Sequence, residues 1–425
     1  MGSVHGLLTI ETHREGAKSR NMKQNTPEPP TRTSSEWPHS GCEDDTKLFP
    51  GPIAFSARDG LAAPPQMKPS LHWLLIFIPI TLVLDELRES SQMLFFSAAL
   101  ALIPIAGLIV KATEQIAMRT TDSVGGLLNA TFGNAPELII GMVALRAGLL
   151  QMVRASLIGA ILANLLLALG LSFFLGGIRH HIQRFNPAAA RTYSTMMLLA
   201  SVSMGIPSSF SRYFAPGAII REERLLNVGI AVMLLFAYGL YLWFSLGTHA
   251  GEFASAESDS GSDANDKTWS LARAAGTLVA ASVLAAWMSE ILVGAADGAG
   301  KALGMSSTFI GIVLLAIVGG AAESGSAIAM ARRNKMDLTI GIALGSSIQI
   351  ALFVAPMLVL ASYFLAPQPL NLSFGRAEVG SLFLGVILGA LVCGDGQSNW
   401  YKGVQLLTIY CIMALMFFLI PELAR

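Results

Sequence analysis

Charge is scarce in this chain. Only 13% of its 425 residues are Asp, Glu, Lys or Arg, while 53% are hydrophobic and the mean hydropathy is +0.57. Soluble proteins carry about 25% charged residues, so a water-soluble fold of this size is excluded. The 28 basic and 28 acidic residues give a formal net charge of +0. This balance gives no basic character with which to bind a nucleic acid.

Cysteine is also scarce, and no cofactor motif is present. Cys42, Cys393 and Cys411 are odd in number and scattered, so they fit neither a disulfide framework nor a zinc site. The segment DGAGKA at 297–302 lacks the glycine spacing of a phosphate-binding loop and has Ala302 in place of Ser or Thr. We therefore expect no bound cofactor.

Apolar runs are abundant once the first 66 residues are passed. Residues 1–66 are rich in Pro, Ser, Thr, Glu and Lys, which predicts a disordered tail. About eleven apolar segments follow, most of them long enough to cross a bilayer. They lie near 71–84, 93–110, 124–145, 155–177, 193–211, 226–247, 269–293, 305–331, 339–364, 376–393 and 402–420.

An acidic segment divides these spans into two groups. Residues 251–267 hold five acids and one Lys among Ser and Gly, which predicts a flexible linker. We place this linker at 248–268, between a first repeat at 93–247 and a second at 269–425. Residues 67–92 form a leading helix and its loop.

The two groups of spans repeat each other. Gly133-Asn134-Ala135-Pro136-Glu137 matches Gly319-Gly320-Ala321-Ala322-Glu323, Gly159 and Gly345 each follow 22 residues after the Glu, and Thr113-Glu114 resembles Ser289-Glu290. A repeat of five spans is odd, so the second repeat enters the membrane from the opposite side. The predicted fold is an all-α integral membrane protein of about eleven transmembrane helices, one leading helix plus two inverted five-helix repeats. This architecture indicates a transporter with its site at the midplane.

Two glutamates lie inside apolar segments. A charge there costs about 2.5–3.5 kcal/mol or more, so Glu137 and Glu323 are expected to face the bundle interior and to have a function. Gly133, Gly319 and Gly320 could break the helices there and expose carbonyl oxygens, or could simply let helices pack closely. Nearby polar residues could bind a cation or bond neighbouring helices: Asn129, Asn134, Asn164, Ser346, Ser347 and Gln349.

This set of residues suits exchange of a hard cation for protons. Carboxylate, amide and carbonyl oxygens are the ligands that Ca²⁺ prefers. A buried carboxylate beside a second one resists ionisation, because of desolvation and like-charge repulsion. Two protons or one Ca²⁺ neutralise the same pair, so either can replace the other.

The same segments resemble the CAX-type Ca²⁺/H⁺ exchangers of the cation/Ca²⁺ exchanger superfamily. The likeness covers roughly residues 70–420 and rests on GGLLNATFGNAPELIIGMVAL (125–145) and FIGIVLLAIVGGAAESGSAIAMARRNKMDLTIGIALGSSIQIALFVAP (309–356). It implies a site for the transported metal on Glu137 and Glu323, assisted by Asn134, Asn164 and Gln349. It also implies that Glu114 and Glu290 help to pass cations or protons.

The chain departs from the family pattern at the second repeat. The family usually has Gly-Asn-Ala-Ala-Glu-His, whereas this chain has Gly320 in place of the Asn and Ser324 in place of the His. After the first repeat, the family's Gly-Ser-x-x-Ser-Asn reads Gly-Ala-Ile-Leu-Ala-Asn at 159–164. These differences leave the fold unchanged and bear on which ion is carried.

Other functions remain open or are excluded. Exchange of Mn²⁺, Cd²⁺ or Na⁺ is the main alternative, and a channel with the acids as a selectivity ring is a second one. An intramembrane protease is disfavoured because HExxH, GxGD and a Ser/His pair within the spans are missing. We expect the cation, protons and the lipid bilayer as partners, and the sequence specifies no oligomer.

Loop lengths and basic residues give an expected membrane and orientation. Short loops favour a bacterial inner membrane, with a vacuolar membrane as the alternative. Basic residues cluster at Arg179, Arg184 and Arg191 and again at 332–335. The positive-inside rule then places these loops, the N-terminus and the acidic linker in the cytoplasm.

Overall fold

The computed structural model describes residues 71–215, 219–249 and 269–420, which fall within one compact unit, Met67–Arg425. The predicted tail at 1–66 and nearly all of the predicted linker lie outside these residues.

The described residues form thirteen helices and two short strands. A 3₁₀ turn, Leu71–Ile76, leads into the first helix. The helices are α1 Phe77–Glu86, α2 Ser91–Ala117, α3 Asp122–Phe132, α4 Ala135–Arg146, α5 Leu150–His180, α6 Pro187–Ser209, α7 Ile220–Thr248, α8 Leu271–Leu303, α9 Ser307–Gly319, α10 Ala321–Arg332, α11 Met336–Leu365, α12 Arg376–Cys393 and α13 Trp400–Leu419. The strands are β1 Ile182–Arg184 and β2 Gln397–Asn399.

Each of the eleven predicted spans coincides with a helix or a broken pair of helices. Within the described ranges, seven helices are long and apolar enough to cross a membrane, and the bent pair α9–α10 makes an eighth. The spans not among them are α1, the pair α3–α4 and α6. The all-α membrane fold is confirmed, while the number of eleven crossings stays a prediction.

Polar side chains cap the first turn of several helices. The Asn186 side chain accepts a 2.9 Å hydrogen bond from the Ala188 amide at the start of α6. Ser270 caps α8 and Asn399 caps α13 in the same way. These caps satisfy amide groups that the first turn of a helix leaves without a partner.

The helix ends gather on two faces. We call one the linker face, defined by the ends of α2, α5, α7 and α10 and by β1 and β2. There, β1 pairs antiparallel with β2, and Gln183 donates a 2.8 Å hydrogen bond to the Ala331 carbonyl oxygen. Arg332, at the end of α10, lies on the same face. The predicted grouping of these basic loops on one side agrees with the contacts.

We call the opposite side the distal face, defined by the ends of α4, α6 and α11 and by residues 366–375. Asn227 accepts a 2.8 Å hydrogen bond from the Leu372 amide, and Ser208 accepts a 2.7 Å bond from that of Phe374. The α2 and α8 helices run antiparallel between the two faces. The Trp269 amide bonds Gln115 at one end, and Gly298 lies against Ser91 at the other.

The helices that flank the two breaks correspond at an offset of 186 residues. Helix α4, residues 135–146, corresponds to α10, residues 321–332, and α5 and α11 begin at 150 and 336. Both α5 and α11 contain a π-helical turn at related positions, Ala163–Ala168 and Ile350–Val354. The internal repeat therefore extends from the motifs to the helix boundaries.

Candidate functional site

Each half of the chain contains a helix broken inside the bundle. In the first half, α3 ends at Phe132 and α4 begins at Ala135, with Asn134 between them at φ −97° and ψ 23°. In the second half, α9 and α10 meet at Gly320 with a bend of 57°. The breaks predicted at Gly133 and at Gly319 and Gly320 are therefore present in the structure.

The two acids occupy equivalent positions after the breaks. Glu137 lies in the first turn of α4 and Glu323 in the first turn of α10. Each helix directs its amino-terminal amide groups, which carry partial positive charge, toward the interior. The ends of α3 and α9 direct carbonyl groups toward the same region, where they favour a cation.

Each acid faces the break of the other half. A Cβ atom on Gly319 would lie 3.2 Å from Cγ of Glu137, and one on Gly133 would lie 3.7 Å from Oε1 of Glu323. The glycines therefore give each carboxylate room beside the opposite backbone. The two halves form one site rather than two separate ones.

Hydrogen bonds join the predicted polar residues across the halves. Asn134 donates from Nδ2 to Oε1 of Gln349, and Asn164 donates a 3.0 Å bond from Nδ2 to Oγ of Ser346. The Ser346 hydroxyl contacts Asn134 Oδ1 at 3.0 Å and also Oε2 of Glu323. The structure thus brings together Asn134, Asn164, Ser346, Gln349 and Glu323.

The Glu137 carboxylate has a different environment. Both of its oxygens are buried and make no hydrogen bond within the described residues. A cavity of about 20 Å³ lies beside it, lined by Ser156, Gly319 and mainly apolar side chains. A water molecule needs roughly 10–15 Å³ measured in this way, so the cavity has room for one.

Four predicted residues do not join this network. The side chain of Asn129 is exposed on α3. The Ser347 hydroxyl donates a 2.9 Å bond to the carbonyl of Ala343 in its own helix. Glu114, near the linker-face end of α2, and Glu290, in the distal half of α8, are both exposed. No hydrogen bond in the described part of the chain connects either acid to Glu137 or Glu323. Their roles in access stay predictions.

Sequence reasoning missed Tyr238. Its hydroxyl, on α7, donates a 3.2 Å bond to the carbonyl oxygen of Ala130, just before the break in α3. A broken helix leaves such carbonyls without their usual partner. A tyrosine in an apolar span has no periodic signal that identifies this contact. Ser156, which lines the cavity beside Glu137, was also missed; its hydroxyl donates a 2.9 Å bond to the carbonyl oxygen of Val153 in its own helix.

Comparison with known proteins gives a family match in both halves. The family model described as sodium/calcium exchanger protein matches residues 90–247 and 273–419. The Ca²⁺/H⁺ antiporter of Aphanothece halophytica is 39% identical over 367 residues, which cover 82% of this chain and 96% of that protein. The vacuolar calcium ion transporter of Schizosaccharomyces pombe is 38% identical, covering 85% of this chain and 88% of that protein.

A solved structure gives the same fold. Native YfkE superimposes with a TM-score of 0.72 at 38% identity, covering 83% of this chain and all of that one. The resemblance found from the motifs is confirmed. The relatives include a bacterial antiporter and a fungal vacuolar transporter, in line with the two kinds of membrane expected.

Proposed function

We propose, from the premise that this chain belongs to the sodium/calcium exchanger protein family, that it exchanges Ca²⁺ for H⁺ across a membrane by alternating access. The chain is a multi-pass integral membrane protein, and its named relatives include a Ca²⁺/H⁺ antiporter. One observation carries the proposal. Two intramembrane carboxylates, at equivalent positions of the two halves, each face the helix break of the other half.

The geometry supports a shared site for the cation. Ca²⁺ takes 6–8 oxygen ligands in flexible geometry. Glu137 and Glu323 offer carboxylate oxygens, and Asn134, Asn164 and Gln349 offer amide oxygens. Ser346 adds a hydroxyl.

Charge balance explains the coupling. The two buried carboxylates carry a charge of −2 when ionised, which is costly within a bilayer. One Ca²⁺ or two protons cancel this charge, and both cannot be held together without a surplus of positive charge. Movement of one across the membrane therefore requires return of the other. No bound cofactor takes part in this proposal.

Ser346 links the candidate ligands to one another. Its hydroxyl bridges Asn134, Asn164 and Glu323. A cation bound at this position would replace those bonds with direct oxygen contacts.

A flux measurement tests the proposal. The protein is reconstituted in vesicles that contain a pH-sensitive dye, and Ca²⁺ is added outside. Proton movement opposite to Ca²⁺ supports the exchanger. Ca²⁺ entry without proton movement indicates a channel, and proton movement with Mn²⁺, Cd²⁺ or Na⁺ but not with Ca²⁺ identifies another exchanger.

A further inference from the structure

The second half contains an unusually close helix crossing. Helix α9 leads from the distal face to the break at Gly319 and crosses α5 backbone to backbone. A Cβ atom on Gly159 would lie 2.2 Å from the carbonyl oxygen of Ile312. A Cβ atom on Gly311 would lie 2.8 Å from the carbonyl oxygen of Met152. Glycine at these positions allows α9 to dock on α5.

The equivalent crossing in the first half is open. At the offset of 186 residues, Gly345 in α11 corresponds to Gly159, and Gly126 in α3 corresponds to Ile312. A Cβ atom on Gly345 would meet no heavy atom within 4 Å beyond its own helix and neighbours. Helix α3 is therefore not docked on α11 as α9 is on α5.

Side-chain exposure shows the same difference. Val124, Leu127 and Phe132 on α3 are 46%, 47% and 37% exposed, whereas their counterparts Ile310, Val313 and Val318 on α9 are 2%, 8% and 8% exposed. The position of Asn129 shows the same difference. Asn129 is exposed, whereas its counterpart Leu315 is 3% exposed. The equivalent helices α3 and α9 are therefore packed differently: α9 is buried, and α3 is largely exposed.

We infer that Gly345 is the docking position for α3 in the opposite state of the transport cycle. Helix α3 runs from the linker face to the break at Gly133, while α9 runs from the distal face to Gly319. In this structure α9 is docked on α5, whereas α3 is not docked on α11. Alternating access moves one repeat against the other around a fixed site, and on this inference the movement exchanges the two arrangements. The α3 backbone at Gly126 then packs on Gly345, as that of Ile312 packs on Gly159 here.

Substitution of Gly345 separates the two states. This inference rests on the alternating-access exchange proposed above, yet conformation is measured without Ca²⁺ and without any flux. A side chain at Gly345 fits the present state, because the space is empty, and blocks α3 from docking in the other. Gly345→Val should therefore fold and remain open to the linker face. Gly276→Val is the matched control, since a Cβ atom there also meets nothing within 4 Å.

Thiol labelling reports both routes. In a background with Cys42 and Cys411 replaced by Ser and the buried Cys393 retained, Asn129→Cys reports on α3 and Leu315→Cys on α9. A membrane-impermeant maleimide is added to vesicles of either orientation. In the parent we expect linker-face labelling at position 129 and slower distal labelling at 315, which requires α9 to leave its packed position.

We expect Gly345→Val to change labelling from the distal face but not from the linker face. Gly345→Val lowers distal labelling of Leu315→Cys by about tenfold or more, keeps linker-face labelling of Asn129→Cys, and slows exchange by a similar factor. Gly345→Ala acts in the same direction to a smaller extent, and Gly276→Val changes none of these rates.

Two results would overturn the inference. One is distal labelling in Gly345→Val at the parental rate, and the other is a complete lack of distal labelling in the parent. If labelling shifts as expected but the parent exchanges no Ca²⁺ for protons, the inference stands and the proposed function fails.

Discussion

The Ser346 hydroxyl lies 3.0 Å from Oδ1 of Asn134, a residue 212 positions earlier in the chain. Asn134 belongs to the break between α3 and α4, while Ser346 belongs to α11 of the other half. Their hydrogen bond fixes one broken helix relative to a long helix of the opposite repeat. The geometry of the proposed cation site therefore depends on both halves at once.

Ser346→Ala should weaken Ca²⁺ binding. The change removes a partner from Asn134, Asn164 and Glu323, and each buried polar group left without a partner costs about 1–3 kcal/mol. We expect the Ca²⁺ concentration for half-maximal exchange to rise by roughly tenfold, equivalent to about 1.4 kcal/mol. Ser347→Ala is the control, because that hydroxyl bonds only its own helix in the described structure. Equal effects of the two substitutions would contradict the assigned network.

Glu137→Gln and Glu323→Gln should each abolish exchange while the protein still inserts. Glutamine keeps the side-chain volume but neither ionises nor balances the charge of Ca²⁺. Ca²⁺-dependent proton flux in reconstituted vesicles should fall at least about a hundredfold, by roughly 2.7 kcal/mol or more of lost stabilisation. Glu89→Gln, on an exposed loop, should exchange like the parent. Near-normal flux in either glutamine variant would rule out the two-carboxylate mechanism.

Gly320→Asn should tighten Ca²⁺ binding. A Cβ atom at Gly320 would lie 3.5 Å from Oδ1 of Asn164 and 4.0 Å from Oε1 of Glu137, so the added amide can reach the site. One further oxygen ligand should lower the half-maximal Ca²⁺ concentration by roughly tenfold, on the scale of 1–3 kcal/mol per polar contact.

Gly320→Ala is the control for Gly320→Asn, because it adds a side chain at this position without adding an oxygen ligand. If the Asn and Ala variants bind Ca²⁺ alike, Gly320 serves packing alone. Ser324→His, the other departure from the family pattern, should change the pH dependence of exchange more than the Ca²⁺ affinity. Half-maximal concentrations at two pH values decide this point.

Tyr238→Phe should destabilise the protein. It removes the hydroxyl that bonds the Ala130 carbonyl, at a cost of about 1–3 kcal/mol if that carbonyl stays buried. Tyr410→Phe provides the comparison, since the Tyr410 hydroxyl is buried without a hydrogen-bond partner among the described residues. Thermal unfolding in detergent should show a lower Tm for the first variant and an unchanged or higher Tm for the second. A reversed order would refute this reading of the two hydroxyls.

Deletion of residues 1–66 should leave a transport-competent protein. The segment has no apolar run that could pack against the helices, and the described bundle begins after it. Exchange should match that of the full chain, or exceed it if the tail is inhibitory. A truncated protein that reaches the membrane but does not transport would show that the tail is essential.

The sequence predicts the positions of the helices and the acids better than it predicts their surroundings. Glu137 and Glu323 are evident because a carboxylate in an apolar run is costly, and Asn134, Asn164 and Gln349 follow from the family motif. The direction of Ser347 is not predictable, because a helix with few polar residues gives no sign of which face meets the site. Tyr238 lies on α7, which carries no predicted site residue, and reaches the break only through tertiary packing. The different packing of α3 and α9 is not predictable from the sequence either. The two repeats have similar sequences, but α9 packs on α5 and α3 does not pack on α11 in the same way.

The pairing of α5 with α13 has a mechanical consequence. A Cβ atom on Gly177 would lie 2.2 Å from the amide nitrogen of Trp400, and one on Gly403 would lie 2.4 Å from that of Phe174. Because these backbones touch and β1 joins β2 at the end of the pair, α5 and α13 are expected to move as one unit. On the inference drawn above, α9 then separates from this two-helix unit, rather than from α5 alone, when the distal face opens.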